Sequence, residues 1–132
     1  MASGFRQGRE RVTTEKAIPD IEDFYPREFS VYNPSGSVGV SCNGRGQVSA
    51  LMLDDDALDL GDVDLGREIV ALGQLARAKY RMELRLWSLA TVAAEGRDPD
   101  RMDRFYRRVQ KLPTPEEYRE MEAAEFARRY DI

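Results

Sequence analysis

FSVYNPSGSVGVSCNGRGQVSALML, residues 29–53, is the stretch that decides the fold. Its first part has period 2: Phe29, Val31 and Asn33 alternate with Ser30 and Tyr32. Asn33-Pro34-Ser35-Gly36 then reads as a turn, with proline fixing φ and glycine free to take a positive one. Val38, Val40 and Cys42 alternate with Gly39 and Ser41, and Asn43-Gly44-Arg45-Gly46 is a second turn of hairpin type. Val48–Leu53 completes three strands joined by short turns, which is an antiparallel meander. One face is expected to carry Val31, Val38, Val40, Cys42, Ala50 and Met52. Cys42 reads there as a small apolar strand residue, not a nucleophile.

Downstream, Asp54, Asp55, Asp56, Asp59, Asp62 and Asp64 follow one another with no base between them. A calcium loop fails on spacing, because Leu58 stands where an EF-hand needs Asp or Asn, and no closing Glu falls in place. An exposed connector ending in an Asp62 or Asp64 helix cap is the expectation. Leu65, Ile69, Leu72, Ala76, Tyr80, Leu84 and Trp87 recur at spacings of three and four, predicting one long helix from about Leu65 to Glu95. Such a helix is roughly 45 Å long, against roughly 36 Å for a whole compact domain of this size. Its second half therefore needs a partner, either the C-terminal helices or a second subunit, to which it offers Tyr80, Leu84 and Trp87. Asp98-Pro99 starts another helix, and the capping box Thr114-Pro115-Glu116-Glu117 starts a last one. Tyr118 and Phe126 lie along that last helix and complete the candidate interface residues.

Upstream, residues 1–28 lack any apolar period and read as a flexible arm, mildly basic over its first sixteen residues. The organisation expected is thus an arm (1–28), a sheet with its long helix (29–96) and a helical extension (97–132). In class it is α+β: a three-stranded meander, a long helix and two C-terminal helices. A sheet this small leaves edges and a face to cover, which points to a homodimer.

Composition narrows the function. The 132 residues contain no His and one Cys, which removes histidine-based catalysis, His or CxxC metal sites and intrachain disulfides. No Gly-rich phosphate loop or nucleophile elbow accompanies the carboxylates, so no enzymatic activity, no catalytic or metal residues and no cofactor are expected. A formal net charge of −4 suits a phosphate backbone poorly. Residues 97–132 hold nine bases and nine acids, which reads as solvated helices, not a nucleic-acid patch. No run is long and apolar enough for a membrane span or a secretory signal peptide.

Three blocks in order carry a resemblance: Phe29 to Ser41, then Leu65-Gly66-Arg67-Glu68-Ile69 with Leu75-Ala76-Arg77-Ala78-Lys79, then Leu112 to Glu117 with Ala124 to Asp131. Together they resemble the EspD/EspH family of mycobacterial proteins associated with type VII (ESX) secretion, over about 29–132. Where the family has a long acidic leader, this sequence has a short, mildly basic N-terminal stretch, so functions residing in the leader are not carried over. A meander followed by a long helix is also similar to the YbaB/EbfC fold of homodimeric nucleoid proteins, although that fold has a helix before the sheet.

The resemblance implies a non-enzymatic accessory of ESX secretion that stabilises or escorts substrates through protein–protein contacts. Its partners would be secretion substrates or other accessory proteins. Its location would be the cytoplasm, or outside the cell if the same system exports it. Proteins of this system often carry a Tyr-x-x-x-Asp/Glu signal, which Tyr118 and Glu122 fit; one helix face holding a packed pair is the plainer reading of that spacing. The alternative function is a YbaB-like DNA-binding dimer, which rests on fold analogy alone.

Overall fold

A computed structural model describes residues 20–130 of the chain. Strands β1 (Glu28–Tyr32), β2 (Val38–Asn43) and β3 (Val48–Leu53) form an antiparallel sheet in that order. Both turns are held by asparagine. Asn33 Oδ1 accepts the Val38 N–H at 3.1 Å in the first. Asn43 Oδ1 accepts the N–H groups of Arg45 and Gln47, at 2.9 and 3.1 Å, in the second.

The pairing of β1 with β2 follows the expected alternation, with Val31 opposite Val40 and Phe29 opposite Cys42. The pairing of β2 with β3 does not. Cys42 faces Val48 but Ser41 faces Ala50, so Ser49 is an extra residue and a bulge lies between the two pairs. One inserted residue moves every later side chain to the other face. Leu51 and Leu53 therefore stand opposite Val40 and Val38, and Ala50 and Met52 do not share the face expected of them.

Helix α2 (Asp62–Ala94) lies across β1 and β2. Val31, Val38, Val40, Cys42, Leu72, Leu75 and Ala76 make the core, with Leu72 only 1% exposed. Burial pushes the Cys42 thiol up, against the pull of the Arg77 charge, which keeps it an unreactive apolar filler. The N-terminus of α2 is not capped by an aspartate side chain as expected. Gly61, at φ 81°, is the N-cap residue, and Asp62 and Asp64 sit in the first turn. The aspartate that does cap is Asp54. Its Oδ1 accepts the Asp56 N–H at 2.9 Å and closes a 3-10 turn, Asp55–Leu60, that buries Ala57.

Before the sheet, the short helix α1 (Ile21–Phe24) is capped by Asp20. Phe24 is 1% exposed, with its ring centroid 5.6 Å from Phe29, 5.7 Å from Trp87 and 6.3 Å from Tyr80. The backbone passes so close that a Cβ on Gly44 would lie 2.0 Å from Phe24 O. Of the expected flexible arm, residues 20–28 are thus a docked segment. A four-residue helix is too short to show a period, but one aromatic side chain suffices to anchor it. Residues 1–19 lie outside the described residues.

Beyond α2 come α3 (Pro99–Phe105), which continues into a π-helical turn (Tyr106–Gln110), and α4 (Pro115–Tyr130). Asp98 caps α3, and Thr114 and Glu117 form the expected capping box on α4, with bonds of 2.8 and 3.1 Å. α3 and α4 both pack on α2. Tyr118 joins Ala78 and Met82 in a second apolar cluster, and Phe126 reaches the main core. The long helix therefore finds cover within its own chain, and the α+β layout is the one expected.

Candidate functional site

The five candidate interface residues do not form one patch. Tyr80 and Trp87 are half-buried and close on Phe24 of the N-terminal segment. Leu84 is half-buried between them in sequence. Tyr118 and Phe126 instead close on α2 from α4. Tyr118 is 5% exposed, and its hydroxyl donates to Glu122 Oε2 at 3.0 Å. Burial, then the Glu122 charge, then that hydrogen bond push the phenol well above the usual tyrosine range. The pair that fits the Tyr-x-x-x-Glu pattern is thus mutually bonded, with its aromatic ring inside the molecule.

α4 is also tied down by a polar hub. Glu68 of α2 is 2% exposed. Its Oε2 accepts from Asn33 Nδ2 at 2.9 Å, and its Oε1 accepts from the Arg129 guanidinium at 2.8 and 3.2 Å. Asn33 in turn donates to Ser37 Oγ at 3.0 Å. One carboxylate therefore joins the first β-turn, the long helix and the last helix.

The surface open to a partner lies on α3 and the π-helical turn. Arg101, Arg104, Arg107, Arg108 and Lys111 are all exposed. Among the described residues none of them has an acidic side chain within ion-pair distance. Two of the nearby acids are occupied: Asp98 accepts the Asp100 N–H, and Asp103 is bonded to the buried Arg85. Phe105 and Val109 are exposed beside the arginines, at 44% and 63%. A cleft of about 460 Å³ opens there, with Val92, Met102 and Phe105 as its apolar lining and Arg97, Asp98 and Arg101 as its polar groups, Arg97 being paired with Glu95 at 2.9 Å.

The balanced count over 97–132 gave no hint of such a one-signed face, because the balance is an average. α3 and its π-helical turn hold the unpaired bases, while most acids of α4 lie elsewhere. The signal is nonetheless in the sequence, as Arg97, Arg101, Arg104, Arg108 and Lys111 recur at spacings of four and three.

A second groove, about 600 Å³, separates α2 from α4. Its cations Arg67, Arg128 and Arg129 are already beside Asp64, Glu125 and Glu68, at 3.7, 2.6 and 2.8 Å. The acidic connector does not converge on a point: among the described residues no three His, Cys, Asp or Glu side chains are placed to hold a metal ion. Nor, among them, is any helix long and apolar enough to cross a membrane. What the exposed α3 face can do chemically is bind: apolar contact in the cleft, and charge-assisted hydrogen bonds from guanidinium groups around it.

No protein-family model and no solved structure matches the chain. Over 110 residues it is 37% identical to the ESX-1 secretion-associated protein EspH of Mycobacterium tuberculosis (strain ATCC 25618 / H37Rv). The alignment takes in 79% of this chain and 59% of that protein, so the chain spans about three fifths of the relative's length. Together with the three ordered blocks, identity of this extent shows that the chain belongs to the EspH family.

Proposed function

We propose that this chain is a non-enzymatic accessory of ESX secretion that binds a protein partner through the arginine-lined cleft of α3. The observation that carries the reading is the joint exposure, along α3 and its π-helical turn, of Arg101, Arg104 and Arg108 with Phe105 and Val109, of which Arg101 and Phe105 line that cleft. The complementary partner is an acidic segment bearing an apolar side chain, held before export so that it neither aggregates nor is degraded. The chain then acts on the cytoplasmic side of the secretion system. Family membership supports the secretion role. Exposed Phe105 and Val109 favour protein over DNA, because a phosphate backbone gains nothing from apolar groups.

The test is complementation of a mycobacterial strain lacking its own EspH. This chain is expected to restore the cellular level and export of ESX-1 substrates. The triple variant Arg101→Glu/Arg104→Glu/Arg108→Glu is expected to accumulate and melt like the parent yet restore neither. Failure of the parent chain would overturn the secretion role. Full rescue by the triple variant would overturn the assignment to α3.

A further inference from the structure

The two edges of the sheet differ. Native proteins guard exposed strand edges with charge, with proline or by covering them. β1 is guarded: Lys79 of α2 reaches over and donates from Nζ to Ser30 O at 3.0 Å, Arg27 precedes the strand and Glu28 is its first residue. β3 has no such guard. Val48-Ser49-Ala50-Leu51-Met52-Leu53 contains no charged residue and no proline, and among the described residues no strand pairs with its outer side.

The bulge decides what that edge presents. Leu51 and Leu53 point to the face that α2 covers over β1 and β2, but α2 does not extend over β3. Val48, Leu51 and Leu53 are consequently 65%, 48% and 47% exposed. The backbone is as open as the side chains. The Asp54 N–H bonds inward to Ser37 O. Hydrogen bonding alternates along an antiparallel strand, so the N–H and C=O groups of Leu51 and Leu53 point outward.

From this we infer that β3 is a pairing edge and that its occupant is the β3 strand of a second copy, joined antiparallel into a continuous six-stranded sheet. Charge selects this occupant. Arg45 precedes β3, and Asp54, Asp55 and Asp56 follow it. A two-fold axis through Leu51 sets each strand's basic start beside the other's acidic end, so the strand is its own complement. Parallel entry would oppose like charges. The axis also brings Leu51 against its counterpart and covers Leu53 with the neighbouring strand's residues. The inference does not rest on the α3 cleft, which lies on a different element.

Three variants of the full chain, followed by sedimentation and circular dichroism, test it. The parent is expected to sediment at twice its 15.1 kDa. Leu51→Pro removes an outward N–H that the monomer does not use, so the fold is expected to persist while the dimer is lost. Leu51→Lys/Leu53→Lys opposes like charges across the axis and gives the same result if the proline variant misfolds. Leu51→Cys is expected to form a disulfide-linked dimer on oxidation, since hydrogen-bonded antiparallel pairs have Cα atoms about 5.5 Å apart. A monomeric parent at tens of micromolar would overturn the inference. So would a folded Leu51→Pro or Leu51→Lys/Leu53→Lys variant that remains dimeric, or an oxidised Leu51→Cys chain that stays uncrosslinked.

Discussion

Removing Arg129 should destabilise the protein more than its one-fifth-exposed side chain suggests. The guanidinium is the charged partner of Glu68, whose side chain is 3% exposed. Without it, Glu68 keeps only the Asn33 amide at 2.9 Å, and a carboxylate is left inside the molecule with no counter-charge. Losing one partner of a buried pair costs about 3–5 kcal/mol. The lower end applies here, because water can reach the vacated side of the hub. At this chain length about 1 kcal/mol corresponds to a melting shift of roughly 3–5 °C. Arg129→Ala should therefore melt about 10 °C below the parent. Glu68→Ala should cost less, since Arg129 retains Glu125 at 3.7 Å and some water.

Replacing both partners, as Glu68→Met with Arg129→Met, should recover much of the loss, because no charge is then stranded. Thermal melts of the single and double variants give the coupling, and amide exchange along 115–130 locates it on α4. An Arg129→Ala protein melting within about 2 °C of the parent would refute the hub as the fastening of α4. So would single-variant losses that add up in the double.

Two further outcomes follow from the packing. Gly44→Ala places a methyl group 2.0 Å from Phe24 O, so it should expel α1, shift Trp87 fluorescence to the red and remove exchange protection from 21–25 while the sheet persists; unchanged Trp87 emission would contradict the docking of Phe24. Tyr118 binds its proton more tightly folded than unfolded, so stability should fall as pH rises above about 10, and Tyr118→Phe should flatten that fall, as measured by denaturant melts from pH 9 to 11.

Much of the architecture is legible because it is local. Alternating Val31, Val38 and Val40, the Asn-Gly-containing turn and the three-four spacing from Leu65 to Trp87 are each read within a few residues. Thr114 and Glu117 meet as their spacing requires. The rest depends on pairing across distance. Nothing in Val48-Ser49-Ala50 announces that Ser49 will be skipped, yet that skip reverses the face of Ala50, Leu51, Met52 and Leu53. Phe24 carries no period, and its burial is set by Trp87, more than sixty residues away. Nothing in the sequence around Glu68 marks it as buried, because the partners that hold it, Asn33 and Arg129, come from distant parts of the chain.

These long-range facts bear together on where a second copy or a partner can attach. The length of α2 argues for outside cover only while its flanks are bare. Phe24 takes up Tyr80 and Trp87, Tyr118 takes up Ala78 and Met82, and Asp103 takes up Arg85. Of the apolar residues that periodicity assigns to an interface, Tyr80, Trp87, Tyr118 and Phe126 are thus engaged inside the chain. Exposed apolar side chains remain on several elements, Val63, Val70 and Leu86 of α2 among them, and two groups carry a recognisable binding chemistry: Leu51 and Leu53 on the β3 edge, and Phe105 and Val109 on α3 and its π-helical turn. The first is uncharged with open backbone groups, which suits strand pairing. The second is ringed by guanidinium groups, which suits an acidic segment. Because the two lie on separate elements, a dimer closed through β3 leaves the α3 cleft of each copy open, and one assembly can present two docking faces.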